Sequence, residues 1–389
     1  MSGQLGQTSA EEITLAVEAS LNKISLYVSG EGIDEIVSEV SPLFWARLTE
    51  LATRAPRTCG GPDWLGRPEI ERREAVAAVV GYGADLFRQI MPLAEHRELF
   101  RKLIQAGSDH PPRICAISDA ARIPWEVLCL TPDDEAPAHQ DLLGWRHVVV
   151  RKTESGARAR KAKHRKIVAA RVVEDDILSS VGLGRAQEAR ERYPSVTYPV
   201  LEKLEIEPQD YQRFHDFLLS EDERLDLVHF DCHVSFDQDA PANSKVRVTS
   251  DFKLPVREFG YDKLVVAHLP LVVFNGCDGG TVGPGQLLSI ARRLREAGAA
   301  SVVAAECEIG DDFCVAFAET FYSVAASAID VGSALLETRR RLLGHDLNPL
   351  GLFYGLYGGA DLEIEIDTVM TPTPGSPLAN RLAWIEEAA

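Results

Sequence analysis

The C-terminal half of the chain alternates short apolar runs with helical segments, and this limits the possible folds more than any other feature. KIVAARVV (166–173), LDLVHFDCHV (225–234), LPLVVFNGCDGG (269–280) and ASVVAAECEI (300–309) read as strands, while 185–192, 207–220, 285–297 and 311–326 read as helices. Runs such as LVVF and SVVAA lack the alternation of a strand with one wet face, so both of their faces must be covered. Strands joined through helices and buried on both sides imply an α/β fold, with a mostly parallel central sheet and helices on both faces.

The N-terminal half reads differently. ITLAVEA (13–19) and KISLYVS (23–29) are two alternating runs with a short polar link, which predicts a β-hairpin. Ile36, Val37, Val40, Leu43 and Leu48 recur at three- and four-residue spacing and predict a helix over 34–53. TCGGPDWLGRP (58–68) marks a loop, and 68–106 a long helical region broken at Pro92. PRICAIS (112–118), PWEVLCL (124–130) and RHVVV read as strands. The divisions expected are an N-terminal hairpin and helix extension (1–65), the first part of the main domain (66–150), a basic linker (151–171), the main body (172–366) and a Pro/Thr-rich tail with a short helix (367–389).

Charge separates these parts. Residues 151–171 hold nine Arg or Lys against one Glu, a local +8 in a chain of formal charge −18. An acidic body argues against general DNA binding, where phosphates demand a basic face. The basic run has three readings: a solvated linker, a self-cleavage site around Arg158, Arg160, Lys161, Lys163, Arg165 and Lys166, or a patch for an anionic partner.

Seven cysteines at 59, 115, 129, 232, 277, 307 and 314 include no CxxC pair and no zinc-ligand spacing, which predicts a reduced protein without a metal. The polar start lacks an apolar signal core, and the longest near-apolar run, 264–274, is too short for the roughly 20 residues of a membrane span. The expectation is a soluble cytoplasmic protein.

Two strand ends carry the chemistry. His233 closes one buried run and Cys277 the next, and sites in open α/β sheets gather beyond the carboxyl ends of strands. Neighbouring parallel strands would bring imidazole and thiol into one crevice, the apparatus of cysteine nucleophilic catalysis. Gly276, Gly279 and Gly280 permit a sharp turn that leaves backbone N–H groups free for an oxyanion. His229, inside its apolar run, reads as a core histidine, and Cys115, Cys129, Cys232, Cys307 and Cys314 read as packing residues. Nucleotide motifs are incomplete: VGLGRAQ lacks the later glycine and GPGQLLS the lysine.

LVHFDCHVS, LVVFNGCDGG, GAASVVAAECEIGDD and NPLGLFYGLYGGADL, with IPWEVLCL upstream, occur in an order that resembles the CHAT family of caspase-like cysteine peptidases, in the clan of caspases, separase and gingipains. The resemblance covers about residues 70–366. It implies a caspase-like three-layer sandwich, with His233 as the catalytic histidine, Cys277 as the nucleophile and the backbone N–H groups of Val234 and Cys277 as oxyanion donors. Metacaspase-like relatives read a basic P1 side chain through an aspartate at the position of Asn275. Here Asn275 cannot supply that charge, and the resemblance to separase-like and CHAT-like members implies that acidic residues after the next strand, Glu308, Asp311 and Asp312, take the role; Asp311 and Asp312 also read as first-turn acids that complement the dipole of the 311–326 helix. Three residues depart from the family pattern: Val234 stands for a glycine, Gly276 for an alanine and Cys307 for a tryptophan. The resemblance further implies no cofactor, a protein substrate encoded nearby, a separate activator or sensor chain, no membrane, and a role as a regulated bacterial signalling or defence effector. A rival reading keeps the fold as a catalytically weak or inactive scaffold for regulated protein binding.

Overall fold

Continuous apolar runs form the centre of a ten-stranded sheet. The structure is a computed structural model that describes residues 12–19, 23–28, 36–39, 47, 50, 51, 54, 55, 58–60, 64–105, 112–117, 123–152, 169–173, 227–231, 233–235, 243–247, 253–255, 271–275, 286–296, 298–307, 309–325, 328 and 330–363. Its strands are β1 (Glu12–Ala19), β2 (Lys23–Val28), β3 (Ile36–Glu39), β4 (Arg113–Ile117), β5 (Val149–Lys152), β6 (Ala169–Val173), β7 (Leu227–Asp231), β8 (His233–Ser235), β9 (Lys245–Arg247), β10 (Lys253–Pro255), β11 (Leu271–Phe274), β12 (Ser301–Ala305) and β13 (Tyr354–Gly358). Helices described are α1 (Glu69–Ile90), α2 (Ala94–Gln105), the single turn α3 (Leu143–Arg146), α4 (Gln286–Glu296), α5 (Asp311–Ala325) and α6 (Val331–Gly344).

The sheet order is β3-β2-β1-β4-β5-β13-β12-β11-β7-β6, and six of its nine pairings are parallel. Strands β6, β7, β11 and β12 run one way. Across the antiparallel seam between β12 and β13, strands β13, β5, β4 and β1 run the other way. A separate antiparallel sheet joins β8, β9 and β10. Every residue of β11 and β12 is buried. Successive strand side chains point to opposite faces, so protein covers both sides of the sheet there, as the unbroken apolar runs require.

Packing of the helices follows from particular residues. Glu69 and Glu71 in the first turn of α1 complement its dipole. Gly83 lies so close to the Val127 carbonyl that a Cβ there would collide with it. Asp330 caps α6 by accepting from the Ser333 N–H at 2.7 Å, and Arg113 of β4 pairs with the same carboxylate at 2.5 Å. This contact ties the helix to the sheet.

The hairpin β1–β2 forms as expected, and β1 also lies parallel to β4, so the N-terminal segment extends the main sheet. Two expected elements differ. The helix predicted over 34–53 contains β3, which pairs antiparallel with β2, and helical residues among those described begin at Arg47. Ile36 and Val37 are β-branched and suit a strand as well as a helix, and the edge offered by β2 decides between the two. PWEVLCL is a 3-10 turn at Trp125–Val127 followed by a single bridge from Cys129 to Leu142. All seven residues from Pro124 to Leu130 are buried, so the run is covered on every side and has no strand periodicity to obey. The basic run also begins and ends in strands, since Arg151 and Lys152 belong to β5 and Arg171 to β6. The helices expected at 185–192 and 207–220, the residues 153–168 and the tail from 364 lie outside the described residues.

Candidate active site

The adjacent parallel strands β7 and β11 pair in register, Phe230 opposite Phe274, with their buried rings 5.6 Å apart. The ladder continues one step, because the Asn275 N–H donates to the Phe230 carbonyl at 2.8 Å. His233 and Cys277 each follow this registered pair by three residues in the sequence. The backbone of His233 opens β8, opposite Arg247 of β9, and Val234 follows it opposite Val246. Cys277 lies outside the described residues, as do Gly276, Gly279, Gly280, Glu308 and the whole of 158–166. Asp311 and Asp312 form the first turn of α5.

Asn275 is 2% exposed, and its side chain joins three elements. Its Nδ2 donates to the Cys314 carbonyl of α5 at 2.9 Å, and its Oδ1 accepts from the Tyr354 hydroxyl of β13. Tyr354 is in turn stacked on Phe317 of α5, ring centroids 3.5 Å apart. The strand end two residues before Cys277 is therefore fixed by buried hydrogen bonds on both sides. His229 is fully buried with Nδ1 2.7 Å from the Tyr322 hydroxyl, the core role its position predicted.

Beside this edge lies a buried charge cluster whose members are far apart in the sequence. Arg151 donates to both oxygens of Glu126 at 2.6 and 2.7 Å, and to Glu306, the residue after β12, at 2.6 and 2.7 Å. The Tyr357 hydroxyl donates to the same Glu306 at 2.6 Å. Arg339 of α6 donates to Glu126 at 3.1 Å and to the Tyr354 carbonyl. Two guanidiniums thus meet two carboxylates with little access to water.

Burial would push the Glu126 carboxyl up, but Arg151 and Arg339 outweigh it and hold the group below the usual carboxylate range. Glu306 shares Arg151 with that stronger competitor. Burial, helped by the negative charge of Glu126 and only partly offset by Arg151, pushes Glu306 up to about 7. Arg151 stays a cation, since its two carboxylates more than offset its burial. One signal in the sequence pointed to these residues: Glu126, Arg151 and Glu306 interrupt or end apolar runs, and a charge buried there has to be paired.

No group of three His, Cys, Asp or Glu among the described residues is arranged to hold a metal ion. Within the same residues no helix is long and apolar enough to cross a membrane. The five described cysteines, 59, 115, 129, 307 and 314, are all buried and free of disulfides. Burial pushes the Cys59 thiol up to about 12, far from a reactive thiolate.

Comparison with known proteins adds family and fold. The CHAT domain model matches residues 115–354. A probable protease of Vitiosangium sp. (strain GDMCC 1.1324) is 33% identical over 134 residues, which are 33% of this chain and 17% of that protein. Separase in the Saccharomyces cerevisiae separase–securin complex superposes with a TM-score of 0.52 at 9% identity, over 90% of this chain and 30% of that one. The Arg-specific cysteine proteinase gingipain R (RgpB, of Porphyromonas gingivalis) gives a TM-score of 0.41 at 10% identity, over 70% of this chain and 68% of that one. The chain thus spans under a third of the length of both the probable protease and separase. The likeness to separase is one of fold.

Proposed function

Since the chain belongs to the CHAT-domain family, we propose that it is a caspase-like cysteine endopeptidase with Cys277 as nucleophile and His233 as acid–base partner. The observation that carries this reading is the registered Phe230–Phe274 pair on neighbouring parallel strands, each member followed after three residues by one half of the dyad. The Cys277 thiolate attacks the scissile carbonyl carbon and forms the C–S bond. The C–N bond then breaks as the His233 imidazolium protonates the leaving amine. Water, deprotonated by the now neutral His233, hydrolyses the thioester and restores the thiolate–imidazolium pair. Backbone N–H groups of Val234 and Cys277 stabilise the oxyanion, at about 3–4 kcal/mol per donor.

Glu308, Asp311 and Asp312 are proposed to favour a basic P1 side chain. The substrate is one dedicated protein, and activity is regulated by a partner chain in a bacterial signalling or defence system. The basic residues from Arg158 to Lys166 are a self-processing segment on this reading. A fluorogenic panel with Arg, Lys, Asp, Leu and Met at P1 tests it. Arg and Lys substrates are expected to be cleaved by the wild type and not by Cys277→Ala or His233→Ala. Activity that survives Cys277→Ala would remove the assignment, and a preference for Asp or Leu would remove the basic pocket.

A further inference from the structure

The residues proposed to read the substrate side chain sit on or just after the loop that leaves β12, and the structure holds that loop at both of its ends. At its start, the Glu306 N–H donates to the Phe353 carbonyl at 2.7 Å, while the side chain crosses β13 to reach Arg151 on β5. The crossing depends on Gly355. A Cβ there would occupy the place of the Glu306 carboxylate, with its Cδ at 2.9 Å. At the far end, Gly310 rests on the backbone of the N-terminal segment, where a Cβ would lie 2.5 Å from the Gly60 carbonyl oxygen. That segment is itself anchored. Asn348 donates to the Cys59 carbonyl at 3.1 Å, and the buried Trp64 donates to the Asp346 carbonyl at 3.0 Å. Between the two ends, Cys307 and Ile309 are fully buried. Gly310 then supplies the carbonyl that accepts from the Phe313 and Cys314 N–H groups, so the first turn of α5, with Asp311 and Asp312, inherits the loop's position.

We propose that Glu306 and Gly310 are positioning residues for substrate selection: the Glu306–Arg151 contact across Gly355 and the Gly310–Gly60 contact together fix the stretch that leads from β12 into the first turn of α5, where Asp311 and Asp312 stand. This proposal rests on the peptidase reading above. Neither residue touches the reacting atoms. Their action is to restrict where the acidic groups stand, so loosening either end weakens recognition of the P1 side chain more than it slows bond breaking. The contact at Gly60 also gives the N-terminal segment a direct hold on the selecting loop.

Glu306→Ala removes the side chain that crosses β13 and with it the contacts to Arg151 and Tyr357, and Gly310→Ala disturbs the other end independently. For each, amide hydrogen exchange over 306–312 is measured beside kcat and KM on the P1 panel and the rate of Cys277 alkylation by iodoacetamide, which needs no P1 pocket. Expected are faster exchange confined to that loop, a KM for the best basic substrate raised about tenfold, a kcat changed less than about threefold, and a narrowed gap between basic and neutral P1 residues. Iodoacetamide alkylation of Cys277 is expected to stay at the wild-type rate. Unchanged exchange over 306–312, or a loss confined to kcat with P1 preference intact, would overturn the proposal while leaving the peptidase reading in place. A wild type that cleaves no substrate of the panel would bring down the peptidase reading, and the selecting role with it, even if exchange in the loop responds as expected.

Discussion

At the scale of single residues, Glu306 has the clearest consequence. Its carboxyl is raised in the folded state from 4.5 to about 7, so the folded protein holds a proton that the unfolded chain releases. Stability from this group is therefore greatest below about pH 4.5 and is lost as pH rises through about 7. Urea unfolding of wild type and Glu306→Gln at pH 5 and pH 8 checks this: the wild type is expected to lose more stability over that interval than the variant. An equal pH dependence in the two proteins would show that Glu306 titrates normally. The buried thiols give a second prediction. Alkylation of the native protein at neutral pH is expected to spare Cys59, Cys115, Cys129, Cys307 and Cys314, and peptide mapping that finds any of them modified before unfolding would contradict their burial.

Among the elements, α1 offers a paired test at two glycines on nearly opposite faces of the helix. Gly83 abuts the Val127 carbonyl, so Gly83→Ala must push the helix away from the Trp125–Val127 turn, and a loss of about 1–3 kcal/mol is expected in thermal or urea unfolding. Gly81 has nothing within 4 Å of an added Cβ, and Gly81→Ala is expected to gain up to about 1 kcal/mol from helix propensity. Equal effects at the two sites would refute the close approach of helix and turn. Asp330→Ala removes both the cap of α6 and the partner of Arg113, with an expected cost of about 1–2 kcal/mol in the same assay.

The strands differ in how readable they were. β11 and β12 were legible because an unbroken run such as LVVF has few alternatives to a covered strand. β3 was not, since a four-residue segment is too short to show a period and only the neighbouring β2 selects the extended form. PWEVLCL misled for the opposite reason: burial on every side hides the distinction between strand and turn.

For the whole molecule, two blocks of parallel strands meet back to back at the β12–β13 seam, and the N-terminal hairpin enlarges one block through β1 and β4. The adjacency of β7 and β11 followed from the alternation of elements in the sequence, and with it the expectation that His233 and Cys277 share one edge. The Glu126–Arg151–Glu306–Arg339 cluster could not be read in the same way. Its members lie on four elements, with partners as far apart as Glu126 and Arg339, and only the strand order brings them together. Asn275 shows the same limit, because its partners Cys314 and Tyr354 come from α5 and from β13, which pairs antiparallel with β12. The most direct test of the central claim is the intact mass of the protein after exposure to a peptidyl electrophile with Arg at P1. One adduct mapped to Cys277, absent from Cys277→Ala and strongly slowed in His233→Ala, is the predicted result. No adduct, or one on a different cysteine, would contradict the assignment of Cys277 as the nucleophile.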